Sequence, residues 1–189
     1  MPSLSDKLKQ LGVKVGAHEL PPPSKRNLYS IEQVLEGRTL ETHQGRTFIV
    51  EERYPWGAPH GQGAIKIDAP LDVMGKWAGT EHISQLPAQS FAFIDTETTG
   101  LSGGSGTYAF LIGVGRFEAN EFHLAQFFMH DPAEEPAQLA ALEEFLAPCL
   151  AIVSFNGKAF DIPLLSTRFT VHGWLSPFKE LAHIDLLHL

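Results

Sequence analysis

Apolar residues recur along this chain in two rhythms, and each predicts a different kind of element. The run Phe91-Ala92-Phe93-Ile94 is an apolar strand that gives way to Asp95-Thr96-Glu97-Thr98-Thr99-Gly100, where it ends in a turn. Strand-like patterning returns over Tyr108 to Phe117 and over Glu121 to Met129, parted only by Glu118-Ala119-Asn120. Three consecutive strands predict an antiparallel meander. From Ala133 to Leu146 the spacing becomes helical, with Leu139, Leu142, Phe145 and Leu146 on one stripe and Glu134 and Glu135 near the positive end of the helix dipole. Leu150 to Phe155 reads as a buried strand, and Asp161 to Phe169 as the next helix. Three strands, a helix, a strand and a helix make an α/β fold, a mixed sheet covered by helices.

The first part of the chain is less regular. A short amphipathic stretch, Leu4 to Leu11, precedes Pro21-Pro22-Pro23, which stiffens the chain and bars a helix from continuing. Ser30 and Gly37 bracket a short capped helix over Ile31 to Glu36. Thr39 to Pro55 turns strand-like around His43-Gln44-Gly45-Arg46, with Thr47-Phe48-Ile49-Val50 clearest, and the Gly- and Pro-rich Tyr54 to Gly63 reads as a loop. The organisation predicted is a small extension over residues 1–85, with a linker and short β elements, and a main domain over 90–189.

Composition adds constraints. With 189 residues, 43% hydrophobic and 19% charged, the chain can bury one sizeable core plus an appendage. No apolar run approaches the roughly 20 residues that span a bilayer, and Met1 to Gln10 lacks a secretory apolar stretch, so the chain reads as cytoplasmic. The lone Cys149 permits no internal disulfide and reads as a small buried side chain. The 14 basic and 22 acidic residues divide as 10 and 10 over residues 1–89 and as 4 and 12 over 90–189. A polyanion would therefore approach the second part only with bound cations or with basic help from elsewhere, for which Lys7, Lys9, Lys14, Lys25 and Arg26 are candidates beside their simpler role as solubilising charges.

That acidity is concentrated in chemistry. Asp95 and Glu97 stand at i and i+2 of a strand and so share a face. Two acids on one face repel unless a cation sits between them, which suggests a divalent-metal site; the plainer alternative is a capped turn facing water. A second element, Phe155-Asn156-Gly157-Lys158-Ala159-Phe160-Asp161, again follows an apolar run and supplies a third acid. All-carboxylate ligation suits magnesium or manganese, whereas zinc would recruit His or Cys. Gly103-Gly104-Ser105-Gly106 has no Lys-Thr/Ser pair after it and is not a P-loop.

The two acidic motifs and the order of elements resemble the ribonuclease H-like superfamily, in its DnaQ-like (DEDD) branch of 3′–5′ exonucleases with four catalytic acids. The resemblance covers about residues 90–189: Asp95, Glu97, Thr99 and Gly100 match the first motif, and Asn156, Phe160 and Asp161 the second. Ser102 to Thr107 and the following Tyr108 to Gly115 look still more like the YprB-type subfamily. The resemblance implies a ribonuclease H-like sheet, a three-strand antiparallel meander plus a parallel strand flanked by helices, and a two-metal site for hydrolysing phosphodiester bonds. It assigns Asp95, Glu97 and Asp161 to Mg²⁺ or Mn²⁺ and catalysis, and Thr98, Thr99, Leu101, Asn156 and Phe160 to a single-stranded or frayed nucleic-acid 3′ end. The backbone amides of Thr98 and Thr99 would hold the terminal nucleotide. Leu101 reads equally as an apolar wedge or as core, Phe160 as a stacking ring or as core, and Lys158 as a phosphate contact or a solvated lysine.

The family's third motif, a His or Tyr followed by the fourth acid, has no match before Leu189, so the domain reads as truncated ahead of it. Asp185 falls where a supporting acid is common, and His183 and His188 read as packed histidines beside a general-base alternative. The competing reading is a non-catalytic nucleic-acid-binding or interaction module on the same fold. A haloacid-dehalogenase-type phosphatase ranks lower, since it expects Asp at the second acidic position.

Overall fold

A computed structural model describes residues 29–100 and 106–189. The sequence-predicted elements at Leu4 to Leu11 and Pro21 to Pro23, and most of the Gly-rich connection after Gly100, lie outside these. By its internal packing the chain divides into Met1–Val34 and Leu35–Leu189. In the first unit the helix expected over Ile31 to Glu36 is a 3₁₀ turn, Ile31–Gln33, with the Ser30 N–H donating to Gln33 Oε1 at 3.1 Å.

The second unit is built on one seven-stranded sheet. Its strands are β1 (Arg38–Thr42), β2 (Gly45–Pro55), β5 (Phe91–Thr98), β6 (Ala109–Glu118), β7 (Glu121–Phe128), β8 (Ala151–Ser154) and β9 (Ala182–Asp185), in the order β1-β2-β7-β6-β5-β8-β9. A separate two-stranded ribbon joins β3 (Pro59–His60) to β4 (Gly63–Ala64) at the end of the expected loop Tyr54 to Gly63. The predicted meander is present: β5, β6 and β7 pair antiparallel, and β8 then lies parallel to β5. The turn between β6 and β7 forces Ala119 to φ +49°. The β1–β2 hairpin joins the same sheet, because β2 pairs antiparallel with β7 from Phe48↔Phe128 to Pro55↔Glu121.

The helices are α1 (Leu71–Ala78), α2 (Glu135–Leu146) and α3 (Asp161–Val171). Both crossovers, β7 to β8 through α2 and β8 to β9 through α3, join parallel strands and advance the same way across the sheet. The right-handed rule then assigns both helices to one face. Strand alternation supplies their partners there: Ala92, Ile94, Ile112, Val114, Ala125, Phe127 and Ile152 pack with Leu139, Leu142 and Phe145 of α2 and Leu164, Leu165 and Phe169 of α3. Phe91, Val153 and Ile184 point the other way and meet Ile83, with Leu71 and Met74 of α1 packed alongside. Each fully buried large side chain, such as Phe169 or Leu142, contributes about 2–3 kcal/mol by leaving water.

Candidate active site

Parallel pairing between β5 and β8 runs only from Phe91↔Ala151 to Phe93↔Val153, so the last residues of β5 pass beyond β8 and border the loop that follows it. On the other side β5 stays paired with β6, Asp95 opposite Gly113 and Glu97 opposite Leu111, until a register shift between Glu97 and Thr98. Such irregularities re-aim side chains near a strand's end. The loop after Ser154 leads through Phe155–Phe160 into α3, whose first residue is Asp161.

Asp161 is buried, and its Oδ1 accepts the Thr96 hydroxyl at 2.5 Å. Burial pushes its carboxyl above the usual range; the Thr96 hydroxyl opposes this, and the negative charge of Asp95 adds to it. Asp161, Glu97 and Thr96 line a cleft of about 590 Å³, together with Thr98, Thr99, Thr107, Phe160, Leu164 and Thr167. Asp95 opens instead onto a separate groove lined by Phe93, Gly113, Ser154 and Phe155. The structure thus brings Asp161 to the end of β5, beside Glu97 and within reach of the Asp95 charge. It does not close the three acids into one cage: among the described residues no three acids, histidines or cysteines form a group able to hold a metal.

A set of hydrogen bonds holds the Asp161 loop. Asp185, almost without exposure, accepts the backbone N–H groups of Asn156 at 2.7 Å, Lys158 at 2.8 Å and Leu187 at 3.1 Å. Burial alone would raise its carboxyl, but these amides outweigh that and hold it below the ordinary carboxylate range. Asn156 sits at φ +64°, a left-handed conformation that Asn tolerates better than most side chains. Gly157 is confined: a Cβ there would collide with Ser154 Oγ and lie 3.2 Å from Asp161 Oδ2. Its carbonyl accepts the Ile162 N–H at 3.0 Å, which fixes the start of α3.

The other residues assigned from sequence fall as follows. Phe160 is 56% exposed at the cleft, which removes its core alternative. Thr98 Oγ1 donates to the Gly100 carbonyl at 3.0 Å. The Thr99 amide expected to hold a nucleotide is already engaged, donating to the Tyr108 carbonyl at 2.9 Å, while Thr99 Oγ1 accepts the Tyr108 N–H at 3.1 Å. Tyr108, the residue just before β6, has taken that donor. Leu101 lies outside the described residues. Lys158 is exposed. His183 is half-buried against Ser154 Oγ at 2.8 Å, and burial, reinforced by the Lys158 charge, lowers its pKa. His188 is exposed, 4.0 Å from Asp185. Sequence reasoning missed Thr96, Gly157 and a buried Glu135–Arg168 pair; the Asn-Gly dipeptide was the one visible sign, marking a turn but not its confinement.

A family model described as RNase_H superfamily matches residues 92–189, the segment from β5 to the end of β9 and just beyond. The chain belongs to the RNase H superfamily. It is also 32% identical over 146 residues to a protein of Bacillus subtilis (strain 168) called "Uncharacterized protein YprB", a stretch covering 74% of this chain and 35% of that protein. The chain therefore spans about a third of the length of that relative. These likenesses make it an RNase H-like, YprB-type protein. Among the described residues no helix is long and apolar enough to cross a membrane.

Proposed function

We propose that the chain is the catalytic framework of a metal-dependent 3′–5′ exonuclease of the DnaQ-like type, acting on single-stranded or frayed nucleic-acid ends. The observation that carries this reading is the meeting of Asp161 with the end of β5, where two acids from separate segments, Asp95 and Asp161, interact with like charge. That repulsion, between oxygen donors only, is the kind a hard divalent cation relieves. Asp95, Glu97 and Asp161 would hold Mg²⁺ or Mn²⁺, which when bound supplies an activated water and stabilises the leaving alkoxide. Thr96 orients the Asp161 carboxylate, and Asp185 keeps the Asn156 loop from drifting away from it. Phe160, exposed at the cleft, offers a ring face on which a terminal base can stack.

The absence of a three-acid group among the described residues favours a second reading, a module on this fold that binds nucleic acid without cutting it. Asp95→Asn separates the two. In the first reading it abolishes calorimetric Mn²⁺ binding and release of nucleotides from a labelled single-stranded oligonucleotide, with the circular dichroism spectrum unchanged. Cleavage that persists in clean Asp95→Asn protein would refute the assignment; oligonucleotide binding with no Mn²⁺-dependent cleavage by the unsubstituted chain points to the second.

A further inference from the structure

The cleft has two walls that belong to different elements. Thr99 and Thr107 stand on the β5–β6 side, and Leu164 and Thr167 on α3. Behind it lies an ion pair with almost no exposure. Arg168 of α3 donates from Nε to Glu135 Oε1 and from Nη2 to Glu135 Oε2, both at 2.6 Å, and each residue is at most 3% exposed. Taking both charges out of water offsets most of their attraction, so a buried pair of this kind is a poor way to gain stability and a good way to fix a geometry.

The geometry fixed here is that of the cleft. The Arg168 guanidinium carbon lies 4.2 Å from the centre of the Tyr108 ring. Tyr108 in turn holds Thr99 by two backbone contacts, accepting the Thr99 N–H and donating its own N–H to Thr99 Oγ1. One residue therefore joins the far wall, through Arg168, to the end of the strand that carries Asp95 and Glu97. Glu135, at the start of α2, secures Arg168 from behind. Lysine could not replace this arginine, because a point charge cannot grip both carboxylate oxygens and lie flat on a ring at once.

We propose that Glu135, Arg168 and Tyr108 form a brace that sets the separation of the two cleft walls, making them positioning residues for the entry of a single nucleic-acid strand. The strand as ligand rests on the nuclease-fold reading above; the brace itself does not.

The test uses the full chain with Glu135→Leu and Arg168→Met together, which exchanges the buried pair for apolar side chains of comparable size. Tyr108→Leu is the second variant, removing the ring if the first does not fold. In a folded variant that keeps a cooperative thermal transition, hydrogen exchange at the Thr99 amide accelerates about tenfold, the effect of weakening one hydrogen bond, while amides in the centre of β7 keep their protection. Affinity for a short fluorescein-labelled phosphorothioate oligothymidylate, chosen to resist cleavage, falls severalfold in Mn²⁺, and that of Arg168→Lys lies between that variant and the unsubstituted chain. Unchanged Thr99 exchange overturns the brace, whatever happens to the oligonucleotide. Faster exchange with unchanged affinity overturns its link to strand entry. Oligonucleotide binding without Mn²⁺-dependent cleavage defeats the nuclease reading but keeps the strand as ligand, and absent binding defeats the strand as ligand, while the exchange result reports on the brace in either case.

Discussion

A single carboxylate, Asp185, decides the shape of the loop that delivers Asp161. Its three backbone partners span Asn156 to Leu187, so it ties the loop after β8 to the end of β9. Asp185→Ala leaves those buried N–H groups without an acceptor and is expected to cost about 3 kcal/mol, read as a lowered urea midpoint with unchanged slope. A slope that changes instead would mean that the native state itself has loosened. Gly157→Ala tests the same loop from the other side, since its added methyl meets Ser154 too closely for either to stay put. A loss of about 1–3 kcal/mol is expected, and a neutral result would show that Ser154 swings aside freely. These two residues also show what the sequence could not say. The motif Asn156 to Asp161 was legible, but spacing alone does not separate a side chain that touches substrate from a backbone that must turn left-handed. Asn156 is required at least for the second, and the partner that makes its amide matter lies 29 positions away in sequence. The Thr99 amide was misread for a related reason: whether a donor is free depends on the residue opposite, and Tyr108 is opposite only once β6 has formed.

Elements were more legible than contacts because their periodicities are local. The β6–β7 hairpin, α2, β8 and α3 each arise within a residue or two of the positions their patterns mark, with Asp131 Oδ1 accepting the Ala133 N–H to open the 3₁₀ turn Pro132–Glu134 ahead of α2. Helix α1 carried no comparable signal. Its eight residues include Gly75, a poor helix former that is present because a Cβ there would lie 3.0 Å from Ile83 and 3.1 Å from the Thr80 carbonyl. The β6–β7 hairpin also carries a pH prediction. Glu118 is partly buried, which alone would raise its carboxyl, but hydrogen bonds from Arg116, Arg53 and His123 hold it at about 2 against an ordinary value of 4.5. A carboxyl depressed in the folded state stabilises fully above its unfolded pKa, and that contribution is lost as pH falls from about 4.5 towards 2. Discounted for a side chain still 29% exposed, the effect is about 1–2 kcal/mol. Glu118→Gln should therefore be less stable by that amount at neutral pH and converge with the unsubstituted chain in acid. Parallel stability curves down to the acid limit would contradict it.

For the molecule as a whole, the position of β2 matters more than that of any one side chain. The sequence separates a small extension from a main domain because the rhythm breaks between Tyr54 and Phe91, yet hydrogen bonding ignores that break. Strand β2 pairs with β7 along eight residues, and its Ile49 enters the same core as Phe127, Leu142 and Phe169. Pairing across 66 to 80 positions leaves no trace in local pattern, since either strand would look the same on an edge. The consequence can be tested by truncation. A chain beginning at Ala88 keeps β5 to β9, α2 and α3, but β7 then becomes a bare edge eight residues long, and the Phe91 face loses Ile83, Leu71 and Met74. An exposed edge of that length with an uncovered apolar face is a template for pairing between chains. This truncated chain is expected to aggregate or to lose its cooperative thermal transition, whereas one beginning at Leu35 retains both strands and the transition. Light scattering alongside calorimetry distinguishes the outcomes. If the chain beginning at Ala88 stays monomeric and melts cooperatively, β1, β2 and α1 are additions to a self-sufficient sheet, and the core of this protein is smaller than its hydrogen bonding implies.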